Sequence, residues 1–153
     1  LEAGAAGYLL KPVSRSDLQN ALSSLDGDVR KVLVVDDDPD VVYLLERMLK
    51  TCDARIEVIT ALDGEEALRV VEHEAPGLIL LDVVLPGMDG WETLRRLKAA
   101  PRSQGIPVFF VSAQDPTEGP AVSRLWALTL DSGIPLSKLF SGTLSASMLL
   151  LRP

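Results

Sequence analysis

KVLVVD, residues 31–36, decides the fold: it is almost continuously apolar, rich in β-branched residues, and stops at an acid. A strand covered on both faces reads this way, as in a parallel sheet sandwiched between helices, because neither face tolerates the polar alternate positions of a half-exposed strand. GLILLD at 77–82 is a second such run ended by an acid, and IPVFFV at 106–111 is a third, followed by Ser112. Helical patterns separate them. Asp38 supplies an N-cap and Pro39 suits a first helical turn, while Val41, Leu44, Leu45, Met48 and Leu49 recur at helical spacing, which predicts a helix over about 39–50. ARIEVIT at 54–60 alternates apolar and polar residues and reads as a less covered, edge strand. Asp63 and Glu66 make a capping-box-like start for a helix carrying Ala67, Leu68 and Val71, and Trp91, Leu94 and Leu97 mark a further amphipathic helix.

Strands alternating with helices of this length imply right-handed crossovers and an α/β, doubly wound, five-stranded parallel sheet in a three-layer sandwich. The regular alternation breaks after Ser112. QDPTEGPAVSR at 114–124 holds two prolines and a glycine, so the helix expected there is lost; LWALTL at 125–130 reads as the fifth strand and 135–151 as a closing helix, giving a domain over 31–151. Residues 1–27 form a separate piece. GYLL at 7–10 reads as a short strand, Lys11 and Pro12 end it, and Ser14 with Asp17 caps a helix containing Leu18, Leu22 and Leu25 before a linker near Gly27.

Composition excludes several classes. The 153 residues are 47% hydrophobic and 24% charged, without an apolar run long enough to span a bilayer, so membrane insertion is not expected. A net charge of −7 with scattered Lys and Arg argues against direct nucleic-acid binding. A lone cysteine, Cys52, excludes an internal disulfide and a cysteine zinc site, which suits a reducing cytoplasmic compartment. The single His73, between Glu72 and Glu74, reads as a solvated surface residue.

Acids at strand ends carry the chemistry. In a doubly wound sheet, ligands bind at the carboxyl ends of strands where the winding reverses, and in the common order 2-1-3-4-5 the first and third strands are neighbours about 4.8 Å apart. Asp36 and Asp37 end the first and Asp82 ends the third, so three carboxylates converge. Like charges in one pocket need a cation, and oxygen-only ligation suits Mg²⁺. A carboxylate beside such an ion can act as nucleophile toward phosphorus, and Asp82, alone at its strand end, is the candidate acceptor, with Ser112 able to offer a hydroxyl hydrogen bond.

VLVVDDDP at 32–39 and LILLDVVLPGMDGWE at 78–92 resemble the acidic-pair and phosphoacceptor segments of bacterial response-regulator receiver domains, which are CheY-like in fold. The resemblance implies a flavodoxin-like sheet, phosphorylation of Asp82 by a histidine kinase or its phosphotransfer domain, Mg²⁺ held by Asp36, Asp37, Asp82 and the backbone carbonyl of Val84, and Ser112 as the switch hydroxyl. It implies a phosphorelay signalling module and not an enzyme. Pro86 and Gly90 match the turn after the acceptor. The family's fifth strand normally ends in Lys-Pro, whereas LTLDSG at 128–133 places Asp131 there, an acid that repels phosphate. AAGYLLKPVSRSDLQNALSSL at 5–25 resembles the missing part, the end of a preceding receiver, with Tyr8 at the aromatic switch position and Lys11 at the lysine position. The expectation is a tandem array in which this segment packs on a receiver of the same or a neighbouring molecule and brings Lys11 to Asp82. A degenerate receiver serving as a docking or dimerisation module without phosphorylation is the alternative. A phosphatase using Asp82 is disfavoured because Val84 stands where a second acid is needed.

Overall fold

The computed structural model describes residues 4–113. Its elements run β1 (Gly7–Leu10), α1 (Arg15–Ser23), β2 (Lys31–Val35), α2 (Pro39–Cys52), β3 (Glu57–Ala61), α3 (Gly64–His73), β4 (Leu78–Asp82), α4 (Gly90–Ala99) and β5 (Val108–Ser112). The five strands form one parallel sheet in the order β1-β5-β4-β2-β3. The apolar runs occupy its middle, as β4 and β5 are buried along their whole length and β2 at every position but Lys31.

Side chains alternate between two faces of the sheet, and each face has its own core. Val32, Val34, Leu78, Leu80, Phe109 and Val111 point to one face and pack with Leu18 and Ala21 of α1 and Val42, Leu45 and Leu49 of α2. Leu33, Val35, Ile79, Leu81, Val108 and Phe110 point to the other, against Ala67 and Val71 of α3 and Leu94 and Leu97 of α4. This is the expected three-layer sandwich.

The fifth place in the sheet is filled from the front of the chain. Gly7–Leu10 pairs with β5 from Gly7↔Phe109 to Leu10↔Ser112, so the boundary expected near residues 27–31 does not separate two sheets. The strand at 125–130, Trp126 and Asp131 within and beside it, the lost helix at 114–124 and the closing helix at 135–151 lie outside the described residues.

Local chemistry sets the element bounds. Ser14 and Asp17 form a full capping box, each side chain taking the other's backbone N–H, and Asp63 accepts from the Glu66 N–H while the Glu66 carboxylate accepts from Leu62. β3 begins at Glu57, not at 54. Asp53 turns the chain first, accepting the Arg55 N–H on its side chain and the Ile56 N–H on its carbonyl. The buried stripe of α2 is Val42, Leu45 and Leu49, one residue around the helix from the stripe that included Leu44, which is 53% exposed.

Candidate functional site

β2 leads outward to β3, and the chain then returns to place β4 on the other side of β2. The winding therefore reverses between β2 and β4, where a doubly wound sheet opens a crevice at its carboxyl end. Asp36 follows β2 and Asp82 ends β4, and the pairing of Val35 with Leu81 puts the two acids side by side. Both are nearly buried, at 2% and 7% exposure, whereas Asp37 is exposed. Carboxylate oxygens of Asp36, Asp37 and Asp82 lie within 4.8 Å of one another.

The backbone fixes these side chains. Asp36 Oδ1 accepts the Asp38 N–H at 2.9 Å, and Asp82 Oδ1 accepts the Val84 N–H at 3.1 Å. Beyond Asp82, Leu85-Pro86-Gly87-Met88 turns with Gly87 at φ +72, where a glycine has no steric penalty. Gly90 then opens α4 directly against the strand end. Its N–H donates to the Val83 carbonyl at 2.9 Å, and a Cβ on Gly90 would collide with the Asp82 carbonyl and lie 2.7 Å from the Val83 Cα.

Lys11 reaches the same pocket from the end of β1. Its Nζ lies 2.8 Å from Asp36 Oδ2 and 3.3 Å from Asp82 Oδ2. The Lys11–Pro12 peptide is cis. Burial pushes the Asp82 carboxyl above the ordinary aspartate range and the Asp36 charge adds to that push, while the Val84 N–H and Lys11 pull the other way without reversing it. Burial acts to lower the Lys11 pKa, but the hydrogen bond to Asp36 and the charges of Asp82 and Asp36 outweigh it, so the ammonium is held above its ordinary value.

Ser112 ends β5, 3% exposed, at the carboxyl end of the sheet. Tyr8, in β1, packs partly buried against the core of the α3–α4 face. Val84 stands 66% exposed at the rim. Cys52 is half-buried at the far end of α2, and His73 is exposed in the last turn of α3.

An apolar groove of about 330 Å³ runs beside the pocket, lined by Lys11, Pro12, Val13, Val41, Leu44 and Leu45. The sequence did not reveal it, because Leu44 fits the apolar periodicity of α2 and only the docking of the Pro12 turn shows it to be a rim residue. Gly90 was visible as a turn residue; its close approach to the backbone of Asp82 and Val83 was not.

Residues 32–123 match the model of the response regulator receiver domain. The chain belongs to that family. It is 45% identical over 85 residues to response regulator PleD of Caulobacter vibrioides, covering 56% of this chain and 18% of that protein. It is 43% identical over 86 residues to the alkaline phosphatase synthesis transcriptional regulatory protein PhoP of Bacillus subtilis, covering 56% of this chain and 34% of that one. The receiver thus spans only a minor part of these relatives. Among solved structures, the N-terminal domain of a response regulator receiver protein from Methanoculleus marisnigri matches with a TM-score of 0.55 at 37% identity, covering 63% of this chain and 76% of that one. The receiver domain of sensor histidine kinase PA1611 from Pseudomonas aeruginosa, with magnesium ion coordinated in the active site cleft, matches with a TM-score of 0.50 at 28% identity over 54% of this chain and 66% of that one. Receivers are signalling modules of two-component systems, and no helix among the described residues is long and apolar enough to cross a membrane.

Proposed function

We propose that this receiver is a cytoplasmic phosphoacceptor of a phosphorelay, taking a phosphoryl group from a phosphohistidine onto Asp82. The observation that carries the reading is one pocket holding three carboxylates within 4.8 Å of one another and a lysine ammonium 3.3 Å from Asp82 Oδ2. In the transfer, an Asp82 carboxylate oxygen attacks phosphorus, an O–P bond forms as the N–P bond breaks, and the electron pair stays on the imidazole nitrogen, which then takes up a proton. Lys11 offers positive charge toward the phosphoryl oxygens, and Ser112 offers a hydroxyl at the next strand end.

The donor set fits a hard divalent cation: three carboxylates, no sulfur and no imidazole. Asp36, Asp37, Asp82 and the Val84 carbonyl would hold Mg²⁺, which supplies positive charge against the equatorial phosphoryl oxygens. Residues 1–27 read as the strand and helix that end a preceding receiver, and the pairing of β1 with β5 and the packing of α1 on the α2 side of the sheet support their standing in for the missing end of this one. Lys11 thereby stands in the role for which Asp131 is unsuited. The apolar groove beside the pocket suits the helix of a histidine kinase or phosphotransfer domain that presents its phosphohistidine to Asp82.

Incubation with Mg²⁺ and a small phosphodonor, read by intact mass, tests the reading. One phosphoryl group is expected on the wild type and none on Asp82→Asn. Equal labelling of both would reject the acceptor assignment.

A further inference from the structure

The lysine of this site sits on a unit attached to the rest of the receiver by a single strand of chain. β1 and α1 dock through the parallel ladder to β5 and the packing of Leu9, Val13, Leu18 and Ala21 against the α2 side of the sheet. Residues 24–30 alone join α1 to β2. Ser24, Asp26, Gly27, Asp28 and Arg30 in this linker are exposed, Gly27 has φ +92, and a Cβ there would meet nothing within 4 Å. The element order matters. The unit enters at the edge of the sheet beside β5, whereas its linker leads to β2, two strands further in. Nothing in the strand pairing requires the unit and the sheet to come from one molecule.

We propose that residues 4–23 are an exchangeable docking element, so that two copies of this chain trade their β1–α1 units and Lys11 of each completes the Asp36–Asp82 pocket of the other. This rests on the reading of that pocket as the phosphoacceptor site. Exchange keeps every contact of the ladder, the helix packing and the Lys11 ion pairs, and changes only the path of the linker. The balance between closed and exchanged forms is therefore set by linker length and local concentration, with the closed form favoured up to about millimolar chain. Receivers held close together reach that regime, and a linker too short to span lowers the concentration at which exchange wins by removing the closed form. Phosphoacceptor competence then depends on a neighbour as well as on the chain itself.

The test uses the full chain with Asp26, Gly27 and Asp28 deleted, which hinders the unit from reaching its own sheet. Light scattering is expected to give a dimer. A zero-length carbodiimide reagent is expected to join Lys11 of an isotopically labelled chain to Asp36 of an unlabelled one. A folded monomer, or Lys11–Asp36 cross-links confined within chains, overturns the proposal. These readouts do not depend on phosphorylation, so they stand even if Asp82 proves not to be the acceptor. Should the deletion variant fail to fold, Lys11→Ala and Asp82→Asn chains with the natural linker are refolded together above millimolar concentration. Random exchange regains about a quarter of the wild-type phosphoryl uptake, because half the dimers are mixed and each has one competent site. No gain over the separately refolded variants, with wild type labelled normally, overturns it.

Discussion

Asp82 is held in an environment that disfavours its own charge, and the protein's stability should record that. Its carboxyl is pushed above the ordinary 3.8 chiefly by burial and by Asp36, with the attraction of Lys11 already counted. An acid with a raised folded pKa stabilises the fold fully below the unfolded value and loses that contribution as pH rises through the folded one. Without divalent cations, Asp82→Asn is therefore expected to unfold at a higher temperature than wild type at neutral pH, with the gain gone by about pH 3. Thermal scans in chelator across this range check it; a gain independent of pH would show that packing, not charge, is responsible. Lys11→Ala leaves the Asp36–Asp82 repulsion unrelieved and, on the proposed function, removes the cation that would face the phosphoryl group. By analogy with the loss of one preorganised donor, phosphoryl uptake should slow by roughly a hundredfold, measured as the labelling rate at fixed phosphodonor. Asp36, Asp37 and Asp82 were legible in the sequence because each lies at the end of an apolar run. That Lys11 reaches them was only an expectation from resemblance, since no local pattern tells a strand which sheet it will join.

Among elements, α1 and α4 expose the site to mutation from a distance. Ser14→Ala removes half of the capping box that starts α1 just after Lys11 and Pro12, and should cost about 1 kcal/mol in chemical denaturation. A larger loss accompanied by unchanged phosphorylation would mean that the cap does not help to place Lys11. Gly90→Ala is expected to be worse than its position in a first helical turn suggests, because the added methyl meets the backbone of Asp82 and Val83, which cannot swing aside as a side chain can. Both stability and labelling of Asp82 should fall, whereas Gly27→Ala, where no atom lies within reach, tests the contrast at a left-handed glycine. Element types followed from periodicity and caps throughout the described residues. Bounds shifted where a turn intruded: the Asp53 turn delays β3, and α2 runs on to Cys52 because nothing after Lys50 breaks it. The apolar character of Leu44 said helix correctly but could not say which side of the stripe would stay in water.

Across the whole molecule, ligand binding and folding are linked. A cation that binds the three acids of the folded chain and not the unfolded one adds stability, about 2.7 kcal/mol at a hundred times its Kd. Mg²⁺ should raise the unfolding temperature of the wild type and leave Asp36→Asn with Asp37→Asn unmoved; an equal rise in both would place the cation elsewhere. Leu18, fully buried between α1 and the sheet, should cost 2–5 kcal/mol when truncated to alanine. The sheet order beyond β5 is where sequence reasoning had two claimants, 7–10 and 125–130, both short and apolar. Strand propensity could not choose between them, because the choice depends on contacts made about a hundred residues away.

That distance has a further meaning for biosynthesis. Gly7 pairs with Phe109, so β1 is synthesised about a hundred residues before β5 and must wait for that strand before it can take this place in the sheet. Long-range pairing of this kind slows folding, and chains emerge from the amino terminus. During that interval Lys11 belongs to no site, and the acids at the ends of β2 and β4 can come together before their lysine arrives.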